Sequence, residues 1–211
     1  MKIRVFITDD HAMVRRGLRQ IFEEAEDIVV VGEAEDYGGL VAGLKHTPCD
    51  VLLIDVSMPG RNGIDALKQV LKDHPRLKAL VVSMYAEDQF ALRALKAGAS
   101  GYLTKTSGPD KLVEAVRQVA RGRRYVTPAV AEALVQSVTR DDGRPAHETL
   151  SDREFQTLRM IAAGKKLSQI ALEMSLSAKT VSVYRSRLLQ KMGLKNNGEL
   201  TRYALEHRLV D

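Results

Sequence analysis

The chain of 211 residues contains no tryptophan and only one cysteine, Cys49. A single cysteine cannot form an internal disulfide, and the five histidines are scattered, so neither a disulfide framework nor a zinc site is indicated. The longest apolar runs extend over a handful of residues, whereas a transmembrane helix needs about 20. We therefore expect a cytoplasmic, globular protein without membrane contact.

Acidic residues are missing from one segment, because none lies between Glu173 and Glu199. The basic residues of that segment are Lys179, Arg185, Arg187, Lys191 and Lys195. Residues 149–211 as a whole carry 11 basic and six acidic side chains. A stretch of one sign predicts binding to a polyanion such as DNA, although a basic helix is more often only a solvated surface.

Four short apolar runs each end in a polar side chain. Residues 3–8 end at Asp9 and Asp10, 51–54 at Asp55, 79–82 at Ser83, and 101–104 at Lys105. Such runs, separated by helical stretches, are typical of buried strands in a parallel sheet, whose ligand site lies beyond the carboxyl ends of the strands. One pocket would then hold three carboxylates, a hydroxyl and an ammonium group.

The alternation of strands and helices predicts an α/β domain over residues 1–124, a five-stranded parallel, doubly wound sheet with helices on both faces. Its second strand is expected at residues 28–31, and Ser107 is expected to cap its last helix. Residues 125–148 have the composition of a linker with a short helix. Residues 149–211 indicate an all-α domain of four helices.

The helical domain carries clear end signals. Ser151 and Glu154 have the spacing of a capping box, Ser177 can cap the third helix, and Gly193 can end it. Two short helices joined by a tight turn, the second of them basic, form a helix-turn-helix pattern. We expect Val181, Leu188 and Met192 to face inward on that second helix.

Carboxylate oxygens clustered in one pocket repel one another unless a cation is present, and oxygen ligands of this kind suit Mg²⁺. Asp55 can then act as a nucleophile towards a phosphoryl group, with Lys105 and Ser83 holding the new phosphate oxygens. Taken singly, each residue has an ordinary alternative: Asp10 could cap the first helix, and Lys105 could be a surface lysine.

Together these residues resemble the receiver (CheY-like) domain of a NarL/FixJ-family response regulator, and the resemblance extends over nearly the whole chain. The motifs that carry it are Asp9-Asp10-His11, Asp55-Val56-Ser57-Met58-Pro59-Gly60, Ser83, Tyr102 and Lys105. The resemblance implies that Mg²⁺ is held by Asp9 through water, by Asp10 and Asp55 directly, and by the backbone carbonyl of Ser57.

It also implies that Asp55 accepts phosphate from a sensor histidine kinase, and that Ser83 and Tyr102 then move together, Tyr102 inwards. Such a receiver is no classical enzyme; it catalyses its own phosphorylation and slow dephosphorylation. The chain departs from the common pattern at Thr106, where many receivers have proline, and at Met84, which is bulky. We expect Met84 to restrict access to the phosphate, or else only to pack locally.

The C-terminal segment resembles the LuxR-type helix-turn-helix domain, and its residues 184–187 and 199–201 resemble the branch that contains GacA and UvrY. We assign base-facing roles to Ser182, Val183, Arg185 and Ser186. Phosphate contacts are predicted for Lys165, Lys166, Lys179, Thr180, Tyr184, Arg187 and Lys191. The commoner pattern has lysine at Ser182 and histidine at Tyr184, and Tyr184 could equally lie at the edge of the core.

The family resemblance implies that the unphosphorylated receiver hides residues 179–191, and that phosphorylation releases them for binding of a homodimer to promoter DNA. The last helix, residues 197–206, resembles the dimer helix of this family, and RNA polymerase is a further candidate partner. Two alternatives stay open. One is an aspartyl-phosphate phosphatase, which usually has a second acid where Ser57 stands; the other is a DNA-binding protein that is never phosphorylated.

Overall fold

The computed structural model describes residues 2–56, 58, 63–84, 87–139, 145–207 and 209–210. The strands are β1 Ile3–Thr8, β2 Ile28–Ala34, β3 Val51–Ile54, β4 Lys78–Ser83 and β5 Gly101–Thr104. The helices are α1 Ala12–Glu23, α2 Tyr37–His46, α3 Gly63–Asp73, α4 Glu87–Lys96, α5 Pro109–Ala120, α6 Pro128–Thr139, α7 Asp152–Ala162, α8 Leu167–Glu173, α9 Ala178–Met192 and α10 Asn197–Glu206, with a 3-10 turn at Ala146–Thr149.

The chain divides into two compact units, Met1–Ser137 and Val138–Asp211, which we call the N-terminal and C-terminal units. In the N-terminal unit all strand pairs are parallel, in the order β2-β1-β3-β4-β5. Successive residues of a strand point to opposite faces. Both faces are therefore apolar, and the predicted parallel, doubly wound sheet is confirmed.

One face of the sheet packs on α1 and α5, through side chains such as Phe22, Leu112 and Val116. The other face closes tightly around Phe6. A Cβ atom on Gly32 would lie 2.4 Å from the Phe6 ring, and one on Gly43 of α2 would lie 2.5 Å from it. The absence of a side chain at both positions therefore lets this large aromatic ring occupy the layer between β1 and α2.

Helix α5 begins differently from its prediction. The residue before its first turn is Gly108 in an extended conformation, and no side chain caps the helix. The predicted capping role of Ser107 is therefore wrong. Pro109 occupies the first helical position and disfavours a helical residue before it, so the helix can begin only after Gly108. Ser107 instead lies 3.1 Å from the hydroxyl of Thr104.

Strand β2 and the N-terminal unit itself both end later in the chain than predicted. Strand β2 continues to Ala34 rather than ending at Val31, because it stays paired with β1 as far as Thr8. Tyr125 follows β5 as an isolated parallel bridge to Gly101, with its N–H donating to the carbonyl of Ser100. The predicted domain limits at residues 124 and 149 stay predictions, while this bridge continues the N-terminal unit past residue 124.

In the C-terminal unit the local end signals are confirmed. Ser151 and Glu154 form a reciprocal capping box at α7, the Ser177 side chain accepts from Thr180 N–H at α9, and Gly193 ends α9 in the left-handed conformation. The inward face of α9 consists of Val181, Leu188 and Leu189. Met192, the third residue predicted to face inward, is half-buried at the end of the helix, and Leu189 is buried in addition.

Candidate functional site

The carboxyl ends of β1, β3, β4 and β5 meet at one edge of the sheet. Thr8 pairs with Ile54, and the Asp55 N–H donates to the Thr8 carbonyl at 2.9 Å. On the next strands, the Lys105 N–H donates to the Ser83 carbonyl at 2.7 Å. Register alone thus brings the side chains that follow these strands to a common pocket.

The Lys105 ammonium lies between two carboxylates of this pocket. Its Nζ is 2.6 Å from Asp9 Oδ2 and 2.8 Å from Asp55 Oδ2. All three side chains are more than nine-tenths buried. Burial lowers the pKa of Lys105, but the carboxylates, Asp55 foremost, outweigh it and hold the pKa above its ordinary value. The alternative of a surface lysine is therefore wrong.

Asp10 and His11 extend the acidic side of the pocket. One ligand atom from each of Asp9, Asp10, His11 and Asp55 lies within 4.8 Å of all the others. Asp10 Oδ1 is buried and accepts no well-formed hydrogen bond from the described residues, although His11 Nδ1 lies 2.7 Å away. A buried, unsatisfied carboxylate oxygen beside two further carboxylates fits a hard divalent cation such as Mg²⁺.

Neither aspartate at the end of β1 caps α1. His11 occupies the N-cap position without a side-chain hydrogen bond, and its N–H donates to Asp9 Oδ1 at 2.9 Å. The alternative of Asp10 as the helix cap is therefore wrong. The predicted ligand Ser57 lies outside the described residues, as do Pro59 and Gly60 of the same motif.

Sequence reasoning missed Arg15, which supports this loop from α1. Its guanidinium donates to the backbone carbonyl of Asp9 at 2.7 Å and lies 3.4 Å from Glu33 on β2. The contact holds the backbone between two of the acidic residues. Only the position of Arg15 one turn into a helix that follows the acidic pair could have suggested it.

Ser83 and Tyr102 are both buried, with 0% and 2% of their surfaces exposed. Tyr102 pairs with Val81 across β4 and β5, two residues before Ser83 on the neighbouring strand. The two residues therefore lie near each other on adjacent strands. Their coupled movement stays a prediction. Met84 is 65% exposed at the surface beside Ser83, and its effect on access to the phosphate stays a prediction.

The basic face of α9 is largely open. Exposed residues are Lys179, Ser182, Val183, Ser186, Arg187 and Lys191, whereas Thr180, Tyr184 and Arg185 are half-buried. Lys165 and Lys166 are exposed at the turn before α8. The structure thus gathers most of the predicted DNA-contacting residues on or beside the outward face of α9.

Three of the cationic residues among these predicted DNA contacts already bind other side chains. Lys165 pairs with Glu173 at 2.5 Å, and Lys191 pairs with Glu154 at 2.7 Å. Arg185 Nε donates to Asn197 Oδ1 at 2.6 Å, which links α9 to the start of α10. Sequence spacing could not have revealed these links, because they join residues up to 37 positions apart.

Residues 5–117 match the response regulator receiver domain, and residues 148–204 match the bacterial regulatory proteins of the luxR family. The chain belongs to the NarL/FixJ family of response regulators. It is a DNA-binding response regulator of the two-component type, which combines a receiver with a LuxR-type helix-turn-helix domain. Receivers are phosphoacceptors rather than classical enzymes.

Curated relatives of this response regulator match it over nearly their full length. GacA of Pseudomonas aeruginosa is 37% identical over 210 residues, which cover 99% of this chain and 98% of GacA. UvrY of Escherichia coli K12 is 35% identical over 210 residues, covering 99% and 96%. The resemblance of the C-terminal segment to the GacA and UvrY branch is thereby confirmed.

Solved structures of response regulators also resemble this chain. RcsB of Salmonella enterica serovar Typhimurium, bound to promoter rprA with the phosphomimetic BeF3⁻, has a TM-score of 0.65 and 28% identity, covering 96% of this chain and 98% of RcsB. The response regulator ChrA of a heme-sensing two-component system has a TM-score of 0.54 and 33% identity, covering 99% of both chains. Within the described part of this response regulator, every helix is too short or too polar to cross a membrane.

Proposed function

We propose that Asp55 is the phosphoacceptor, that a sensor histidine kinase is the donor, and that phosphorylation switches the chain to dimeric binding of promoter DNA. The observation that carries this proposal is the buried Lys105 ammonium within 2.8 Å of Asp55, at the sheet edge where Asp9 and Asp10 also lie. A nucleophile, a fixed cation and an unsatisfied acidic group together suit phosphoryl transfer.

In the transfer step, an oxygen of the Asp55 carboxylate attacks phosphorus, and the bond between phosphorus and the kinase histidine breaks. The electron pair of that bond returns to the imidazole. Lys105 then exchanges its contact with the Asp55 carboxylate for a charge-assisted hydrogen bond to a phosphoryl oxygen. Ser83 donates its hydroxyl to another oxygen, and Tyr102 moves with it as the switch residue.

The residues that would hold Mg²⁺ are Asp10 and Asp55 directly, Asp9 through water, and the backbone carbonyl of Ser57. When bound, the ion supplies neutralisation of negative charge on the phosphoryl oxygens. The residues of this chain do the remaining work. Asp9 shares Lys105 with Asp55, and Arg15 holds the loop that carries Asp9 and Asp10.

Phosphorylation adds about −1.5 to −2 charges at Asp55 and biases an existing equilibrium between an inactive and an active state. Moving such a switch from a 1:99 to a 99:1 population takes about 5.5 kcal/mol of differential stabilisation. In the inactive state the receiver hides residues 179–191. Release lets α10 pair two chains, so that two copies of α9 read paired half-sites.

On DNA, α9 enters the major groove, where Ser182, Val183, Arg185 and Ser186 face the bases. The exposed cations and the helix start position the domain on the backbone. The residues assigned to phosphate contacts are Lys165, Lys166, Lys179, Thr180, Tyr184 and Arg187. Arg185 must exchange Asn197 for a base edge, and Lys165 must exchange Glu173 for a phosphate.

The protein acts in the cytoplasm, and RNA polymerase is a partner on the bound promoter.

The decisive experiment measures the molecular mass and the DNA binding of the full chain with and without beryllofluoride and Mg²⁺. The DNA used is a duplex that the wild-type protein enriches from a pool of mixed sequences. Wild type should dimerise and bind this duplex more tightly only with beryllofluoride, since the ion mimics the phosphoryl group on Asp55. Asp55→Asn should respond to neither.

Asp73→Asn is the matched control, because Asp73 is an exposed aspartate at the end of α3. It should behave as wild type. Equal binding by wild type and Asp55→Asn under both conditions would contradict the phosphorylation switch and favour a constitutive DNA-binding protein. Sustained release of phosphate from a generic phosphate ester would instead favour the phosphatase alternative.

A further inference from the structure

Lys191 lies in the last turn of α9, and its ammonium contacts the first helix of the C-terminal unit. The Nζ atom is 2.7 Å from Glu154 Oε2 in the first turn of α7. The same carboxylate oxygen accepts the Ser151 N–H at 2.8 Å as part of the capping box. One atom of Glu154 therefore joins the start of α7 to the end of α9.

The burial of Glu154 decides the importance of this pair. Its side chain is only 4% exposed, while that of Lys191 is 44% exposed. Burial raises the pKa of Glu154, but the hydrogen bonds from Lys191 and Ser151 outweigh it and leave the pKa below its ordinary value. Glu154 is therefore ionised at neutral pH, and among the described residues its only ion pair is with Lys191. Removing the lysine would leave a buried carboxylate without a counter-ion, which is costly.

The pair also restrains the orientation of α9. The start of the helix is fixed by the Ser177 cap, and its middle is buried through Val181 and Leu188. Leu188 and Leu189 bury the C-terminal part of this 15-residue helix, and Arg185 links it to the start of α10. Lys191 ties that end to α7. Its ammonium thereby commits one of its three N–H donors to the Glu154 carboxylate.

We propose that Lys191 is a positioning residue of the DNA-binding site, which orients α9 through Glu154, and is not one of its phosphate contacts. The inference rests on the proposed reading of DNA by α9. It corrects the role predicted for Lys191 from its charge. Base recognition depends on the angle at which α9 enters the groove, so loss of the pair should lower specificity rather than the number of neutralised phosphates.

The test compares full-length Lys191→Met with Lys179→Met, each treated with beryllofluoride. Lys179 is the matched control, since it is exposed in the first turn of the same helix and makes no ion pair with any described residue. Binding is measured by fluorescence anisotropy over a range of salt, on a duplex enriched by the wild type and on a mixed-sequence duplex. All proteins are compared at a temperature where circular dichroism shows them folded.

Lys179→Met should make the slope of log K against log salt shallower by about 0.9, the change expected for one lost phosphate contact. Lys191→Met should leave the slope on both duplexes unchanged and lower the ratio of enriched to mixed-sequence affinity about tenfold, as one misplaced recognition contact does. Lys191→Arg, which keeps the charge, should restore that ratio. The double variant Glu154→Gln with Lys191→Met should recover most of it, because glutamine retains the capping bond without a buried charge.

A slope for Lys191→Met that falls as it does for Lys179→Met would overturn the inference, because Lys191 would then be a phosphate contact. Unchanged affinity on both duplexes would overturn it as well, because the pair would serve stability alone. A wild type that enriches no duplex from a mixed-sequence pool would overturn the proposed function itself. The wild-type measurement therefore separates the two failures.

Discussion

A methyl group on Gly63 would lie 2.0 Å from the backbone carbonyl oxygen of Asp55 and 2.5 Å from the Cα atom of Val56. The first turn of α3 therefore packs directly on the backbone of the proposed phosphoacceptor. The Gly63 N–H also donates to the Val56 carbonyl at 3.2 Å. Since the opposing atoms belong to the main chain, they cannot rotate away from an added side chain.

Gly63→Ala should consequently destabilise the N-terminal unit by about 1–3 kcal/mol, as overpacking usually does, and slow phosphorylation of Asp55. Chemical denaturation and phosphorylation by acetyl phosphate measure the two effects. Gly17→Ala is the control, because a Cβ atom there would meet nothing within 4 Å in the middle of α1. Gly17→Ala should raise the free energy of unfolding of the N-terminal unit by about 0.5–1 kcal/mol. Equal unfolding of Gly63→Ala and wild type would contradict the close contact.

Lys105→Met should lower the free energy of unfolding by roughly 3–5 kcal/mol at neutral pH, because it leaves the buried Asp9 and Asp55 carboxylates without their shared cation. Millimolar Mg²⁺ should offset part of this loss. Urea denaturation with and without Mg²⁺ measures both. Lys111→Met, on the exposed side of α5, provides the control and should change little. A variant of Lys105 as stable as wild type would show that the ion pairs contribute nothing.

Stability should also fall in alkali, since the pKa of Lys105 is raised from 10.5 in the folded chain. The contribution of the ammonium is complete below 10.5 and is lost as pH rises through the higher folded value. Urea midpoints measured above pH 10.5 should therefore decline less for Lys105→Met than for wild type. If the urea midpoints of the two proteins declined equally with pH, the result would contradict a raised pKa of Lys105.

Asp50 should contribute to the loss of stability in acid. Arg4 donates to this carboxylate from Nε, Nη2 and the backbone N–H, and these bonds lower the pKa of Asp50 below 3.8. The contribution is present above 3.8 and lost as pH falls through the folded value. Between about pH 5 and pH 2, Asp50→Asn should therefore lose less unfolding free energy than wild type. The effect should be modest, because both side chains of the Arg4–Asp50 pair are partly exposed. Identical curves of unfolding free energy against pH for the two proteins would refute the prediction.

Cys49 should react slowly in the native protein. Burial, with a further contribution from Asp50, raises the pKa of its thiol from 9.0 to about 11. The thiolate is the reactive form, so iodoacetamide at neutral pH should label native protein much more slowly than protein in urea. A time course with detection of the single thiol by mass spectrometry tests this. Equal rates in both conditions would mean that the thiol is open to solvent.

Much of this protein follows from the sequence because it depends on near neighbours. The apolar runs that end at Asp9, Asp55 and Lys105 were sufficient to predict the parallel sheet and its acidic edge, since strand period and crossover handedness leave few arrangements. The capping box of Ser151 and the Gly193 end of α9 were predictable for the same reason, because each involves residues within one turn.

The tertiary structure decided what depends on how separate helices, strands and loops pack against one another. The contact of Gly63 with Asp55, the support of Asp9 by Arg15 and the pairing of Lys191 with Glu154 arise from packing of separate elements. No local pattern distinguishes a lysine that meets a phosphate from one that meets a buried carboxylate. The difference is the burial of Glu154, which exists only once α7 and α9 have packed together.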